Sequence, residues 1–135
     1  MAHILLVDDD PQIRKVLGDF IRMSGHELTT ASNGKEALDC LDTTAVDLML
    51  LDIIMPEQDG IETIIKLNGR EKRPAVIAMS GGSQRLDIDF IISIASKLPV
   101  AAVLAKPVSF EKLNEAINKA LALPGLPPRN GNAEP

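Results

Sequence analysis

A chain of 135 residues is the length of one ordinary globular domain, and at 45% hydrophobic and 24% charged it has apolar material for a core and too much for intrinsic disorder. Its formal net charge of -5 argues against nucleic-acid partners, because binding a phosphate backbone through diffuse charge needs clustered Lys and Arg. The single cysteine, Cys40, allows no intramolecular disulfide, no apolar run reaches the length of a membrane span, and the start turns acidic too soon for a signal peptide. A cytoplasmic protein with no membrane partner is expected.

Taken in order, short apolar runs alternate with longer segments of helical period, the pattern of βαβ units that build a parallel sheet. The first run covers 4–7 and is followed by Ile13, Val16, Leu17, Phe20 and Ile21, spaced to make one apolar helix face, with Pro11 in the first turn. A shorter, mixed run at 28–31 suits an edge strand. The turn Ser32-Asn33-Gly34 then introduces a helix carrying Ala37, Leu38, Cys40 and Leu41, where Cys40 reads as a small core residue. A third strand is expected over 47–51, a third helix over 61–67, a fourth strand over 75–79, a less regular helix over 87–97 and a fifth strand over 101–105. Leu113, Ala116, Ile117, Ala120 and Leu121 complete the series as a helix behind an N-cap at Ser109. Residues 1–123 therefore form one domain, a doubly wound α/β fold with a five-stranded parallel sheet in the order 2-1-3-4-5. From Pro124 the Pro- and Gly-rich stretch has almost nothing to bury, and 124–135 is expected to be a disordered tail.

In open α/β sheets ligands sit beyond the carboxyl ends of the strands, so the polar residues there carry the most information. The first strand runs into Asp8, Asp9 and Asp10, the third into Asp52, the fourth into Ser80 and the fifth into Lys106. Two carboxylates about 4 Å apart repel by roughly 4 kcal/mol at an effective dielectric near 20, so several on one rim need compensation, and Lys106 alone leaves them net negative. Hard oxygen ligands with room for water and phosphate suit Mg²⁺, with Mn²⁺ as a substitute. With a metal and Lys106 neutralising phosphoryl oxygens, Asp52 could attack phosphorus while Ser80 donates a hydrogen bond, and Gly81 and Gly82 leave space and main-chain N–H groups for that group. Taken singly, the aspartates also read as a helix-start cluster and Lys106 as surface charge.

The segments Ile4-Leu-Leu-Val-Asp-Asp-Asp-Pro-Gln-Ile-Arg14, Leu50-Leu-Asp-Ile-Ile-Met-Pro-Glu-Gln-Asp-Gly60, Ala78-Met-Ser-Gly-Gly82 and Leu104-Ala-Lys-Pro-Val108 resemble the receiver domain of two-component response regulators, which is CheY-like in fold. The resemblance runs from Ile4 to about Leu121. It implies that Asp8 and Asp9 help hold Mg²⁺, that the backbone carbonyl of Ile54 completes the metal site, and that Asp52 accepts the phosphoryl group. Ser80 is then the switch hydroxyl, Lys106 the phosphoryl contact, and Lys106-Pro107 a cis bond. It further implies a histidine kinase or histidine phosphotransfer protein as donor and no catalysis beyond the chain's own phosphorylation and slow dephosphorylation. With no output domain after Leu121, the expectation is a single-domain member that binds a partner or passes the phosphoryl group onward.

Two departures from the family pattern stand out. The position three before the lysine is Val103, where an aromatic often turns inward, so that form of switching is not available. The 87–97 region is apolar around much of its circumference, including Ile88, Phe90, Ile91, Ile92 and Ile94, which suggests a downstream-partner or homodimer surface formed with the fifth strand and last helix. The side chains of Ile54 and Gly82 cannot position a hydrolytic water, so slow reset is expected. Two other functions compete: a phosphorylation-independent interaction module, and an aspartyl-phosphate-forming phosphohydrolase. The second is disfavoured by Ile54 where such enzymes carry an acid–base aspartate.

Overall fold

The computed structural model describes residues 2–52, 59–67, 69–70, 73–80 and 100–122, with 59–61 and 80 described in their backbone alone. Five parallel strands, β1 (His3–Val7), β2 (Glu27–Ala31), β3 (Leu48–Asp52), β4 (Ala75–Ser80) and β5 (Ala102–Ala105), form one sheet in the order β2-β1-β3-β4-β5. The described helices are α1 (Pro11–Met23), α2 (Gly34–Thr43), α3 (Asp59–Leu67) and the C-terminal α4 (Phe110–Leu121). The expected helix over 87–97 and the tail at 124–135 lie outside the described residues.

Alternation along the strands divides the core into two layers. Ile4, Leu6, Leu48, Leu50, Ile77 and Met79 face one side and pack with Leu17 and Ile21 of α1 and Leu113 and Ile117 of α4. Leu5, Val7, Met49, Leu51, Val76 and Ala78 face the other, against Ala37 of α2 and Ile64 and Leu67 of α3. Every residue of β3 is buried, as a central strand covered on both faces requires. Full burial of each such aliphatic side chain contributes about 1.5–3 kcal/mol.

Local signals set the helix ends. Asp10 caps α1, its carboxylate accepting from the Gln12 N–H at 2.9 Å, and Pro11 takes the first helical position. Gly25, at φ 94°, supplies the left-handed residue that ends the helix. Asn33 caps α2, and Glu36 reaches back to the Ser32 N–H and hydroxyl at 2.8 and 2.9 Å. Those two hydrogen bonds hold the Glu36 carboxyl below its usual pKa. Ser109 caps α4 as the sequence predicts.

The apolar face of α1 departs from expectation at Val16, which is 54% exposed. The helix is turned so that Gly18 faces the sheet instead, and a Cβ there would meet Leu28 Cδ2 at 2.9 Å. The buried stripe therefore centres on Leu17, Gly18 and Ile21, and Val16 falls at its solvent edge. Strand β3 is shifted by one residue from the expected 47–51. Asp47 precedes it and uses its carboxylate to accept the His3 N–H at 2.9 Å.

Candidate functional site

Strands β1 and β3 are neighbours in register, Val7 opposite Leu51, so the residues that follow them emerge side by side at the carboxyl edge. Asp8 is fully buried and Asp52 is 2% exposed. Lys106, one residue past β5, reaches across this edge. Its ammonium donates to Asp8 Oδ2 at 2.7 Å and to Asp52 Oδ2 at 2.9 Å. Desolvation by burial works to lower the Lys106 pKa, but the hydrogen bonds and charges of the two carboxylates outweigh it, and the net shift is upward. The lysine is thus cationic at any physiological pH. The Lys106–Pro107 peptide is cis.

The three aspartates that end β1 divide their work. Asp8 Oδ1 accepts the Asp10 N–H at 2.9 Å while its other oxygen meets Lys106, and Asp10 is committed to capping α1. Asp9 is exposed, yet carboxylate oxygens of Asp8, Asp9 and Asp52 all lie within 4.8 Å of one another. Three carboxylates with one lysine remain net negative, and two of the three are shielded from water, where like charges repel most strongly. An all-oxygen donor set with one member open to solvent fits a hard divalent cation such as Mg²⁺, which binds through a few carboxylates and keeps positions for water and substrate oxygens.

Sequence reasoning missed one interaction here. Arg14, in the first turn and a half of α1, donates from Nη1 to the backbone carbonyl of Asp8 at 2.7 Å. A long cationic side chain early in a helix that follows the acidic loop was the available signal. Ser80 closes β4 opposite Ala105, next to Lys106 in the chain, which brings its backbone to the same edge. Its hydroxyl lies outside the described residues, as do Ile54, Gly81 and Gly82. Val103 sits in β5 opposite Ala78, half-buried against the second core layer.

Residues 4–118 match the family model of the response regulator receiver domain. The chain belongs to that family. This receiver is 35% identical to the positive alginate biosynthesis regulatory protein of Pseudomonas aeruginosa, with 98% of this chain and 55% of that protein covered. It is 33% identical to the transcriptional regulatory protein CpxR of Escherichia coli, with 90% of this chain and 50% of that protein covered. The chain therefore spans about half the length of these curated relatives. Among solved structures, a response regulator receiver domain protein from Clostridium thermocellum superposes with a TM-score of 0.79 at 28% identity, covering 90% of this chain and 94% of that one. The strand order and flanking helices are those of the CheY-like receiver fold. Among the described residues no helix is long and apolar enough to cross a membrane.

Proposed function

We propose that this receiver accepts a phosphoryl group on Asp52 from a phosphohistidine donor, a histidine kinase or a histidine phosphotransfer protein, in a reaction that requires Mg²⁺ or Mn²⁺. The observation that carries the reading is the placement of Asp52 at the end of the central strand, 2.9 Å from the Lys106 ammonium and clustered with Asp8 and Asp9. Asp8, Asp9 and Asp52 would hold the cation, joined by the Ile54 carbonyl. Bound there, it would supply positive charge to the oxygens of the incoming phosphoryl group. A carboxylate oxygen of Asp52 forms the new bond to phosphorus as the donor's phosphorus–nitrogen bond breaks, and the departing imidazole retains the electron pair and takes up a proton. Lys106, now held by Asp8 and Asp52, is within reach of the phosphoryl oxygens once Asp52 is modified, and Ser80 and the Gly81 N–H would complete their hydrogen bonding.

The product is a signal and not a released compound, so the chain catalyses only its own phosphorylation and slow dephosphorylation. Its effect passes to a downstream protein or by onward phosphotransfer, in the cytoplasm. With Val103 in place of an aromatic, that effect does not use a ring turning inward from β5.

The test is incubation of the protein with Mg²⁺ and acetyl phosphate, read by intact mass, with Asp52→Ala and a chelator-treated sample alongside. One added phosphoryl group that requires both Asp52 and the metal is expected. If neither acetyl phosphate nor a panel of phosphorylated kinases adds one, the fold serves phosphorylation-independent binding and the proposal fails.

A further inference from the structure

Among the described residues, Arg14 is a charged group bonded to the acidic loop to which the phosphoacceptor reading assigns no task. Its Nη1 donates 2.7 Å to the main-chain oxygen of Asp8, six residues earlier. That carbonyl belongs to the peptide unit joining Asp8 to Asp9, whose six atoms from one Cα to the next are planar. Fixing the oxygen therefore fixes the plane from which both carboxylate-bearing residues leave the backbone. The loop is also tied on each side: the Asp8 N–H donates to the Ala31 carbonyl at 3.2 Å, and the Asp10 N–H to the Asp8 carboxylate at 2.9 Å. Between these ties the Asp8–Asp9 peptide is held by a cationic donor, and charge-assisted hydrogen bonds are the strong ones.

Asp9 is the member of the carboxylate group that most needs such help. Asp8 is buried and bonded to Lys106, and Asp52 is buried at a strand end, whereas Asp9 is solvent-exposed. An exposed side chain keeps its rotamer freedom, so its contribution to a metal site depends on the backbone from which it projects. Resting on the metal-dependent reading above, we infer that Arg14 is a positioning residue for the cation: its bond to the Asp8 carbonyl holds the Asp8–Asp9 peptide so that both carboxylates converge with Asp52. Its charge alone would do the reverse, since a guanidinium near the site opposes a second cation.

That opposition gives the test its sign. Mg²⁺ is titrated into wild type, Arg14→Ala, Arg14→Lys and Asp9→Ala, following backbone amide shifts by NMR, with thermal melts of each metal-free protein. Phosphorylation by acetyl phosphate is then measured against Mg²⁺ concentration. Arg14→Ala is expected to weaken Mg²⁺ binding about tenfold, the scale seen when an outer partner of a metal ligand is removed. Its phosphorylation rate should return to near the wild-type value at saturating Mg²⁺, a split that general destabilisation would not produce. Arg14→Lys keeps the charge and a single donor and should fall between. Unchanged or tighter Mg²⁺ binding by Arg14→Ala overturns the inference. Should that variant not fold, Arg14→Lys decides alone: Mg²⁺ affinity equal to wild type overturns it. Wild type that binds no Mg²⁺ defeats the phosphoacceptor reading as well, whereas loss of binding in Asp9→Ala but not in Arg14→Ala defeats the Arg14 inference only.

Discussion

His26 shows how a single side chain ties the fold to pH. Its Nδ1 accepts the Ala2 N–H at 3.1 Å, which only an unprotonated nitrogen can do, and burial lowers its pKa below the ordinary 6.5. Because the folded value lies below the unfolded one, the unfolded chain takes up the proton first as pH falls. The stabilisation is thus whole above about pH 6.5 and is lost as pH drops through the folded value. Urea denaturation of wild type and His26→Asn between roughly pH 7 and 5 should show wild type losing more stability than the variant. Equal slopes would mean that the imidazole does not carry this dependence. Lys106 has the opposite sign: its raised pKa keeps its contribution intact through neutrality, and that contribution is lost only as pH climbs above the ordinary lysine range and through the folded value. Cys40 takes the place expected of it, half-buried against the second core layer with its thiol pKa pushed up by burial.

Among the elements, α1 and α4 share one face of the sheet and are joined by more than aliphatic packing. Phe20 and Phe110 stack with ring centroids 4.4 Å apart and planes 8° from parallel. Phe110 opens α4, just after the loop that carries Lys106, so the stack holds the start of that helix against α1. Aromatic pairs contribute about 0.5–1.5 kcal/mol beyond the area they bury. A double-mutant cycle on Phe20→Leu and Phe110→Leu is expected to return a coupling of about that size. Additive losses would show that the two rings stabilise their helices separately. The chain pattern marked Phe20 as one of the α1 apolar positions, but the stripe read for the last helix began at Leu113, and which two helices lie side by side on the sheet is set by tertiary packing, so the pair was not legible as a pair.

For the molecule as a whole, folding itself assembles the site. Asp8 and Lys106 are 98 positions apart and Asp52 and Lys106 are 54 apart, so these groups meet only when β1, β3 and β5 take their places in one sheet. A cation that needs all three carboxylates binds the folded state and not the unfolded one. Mg²⁺ at a hundredfold excess over its dissociation constant should therefore raise stability by about 2.7 kcal/mol. Asp52→Asn should lose most of that gain and, in metal-free buffer, melt at a higher temperature than wild type, because it removes one of two buried carboxylates that share a single lysine. A metal-free variant less stable than wild type would show that the Asp52–Lys106 pair outweighs the repulsion.

The order of the described elements, the strands close to their observed bounds and the Ser109 cap followed from sequence, because hydrophobic period and capping chemistry act within a few residues. The presence of chemistry at the strand ends was legible for the same reason, since apolar runs stopping at Asp8, Asp52 and Lys106 mark those ends without any knowledge of contacts. Tertiary structure alone decided how the work is divided among three consecutive aspartates: one is buried against Lys106, one is exposed beside the group, and one caps a helix. It also decided that Gly18 and not Val16 faces the sheet, and that Arg14 turns back onto the Asp8 carbonyl. The burial of Asp8 against Lys106, the choice of Gly18 over Val16 and the turn of Arg14 depend on helix rotation and strand register against neighbours that local pattern alone does not fix.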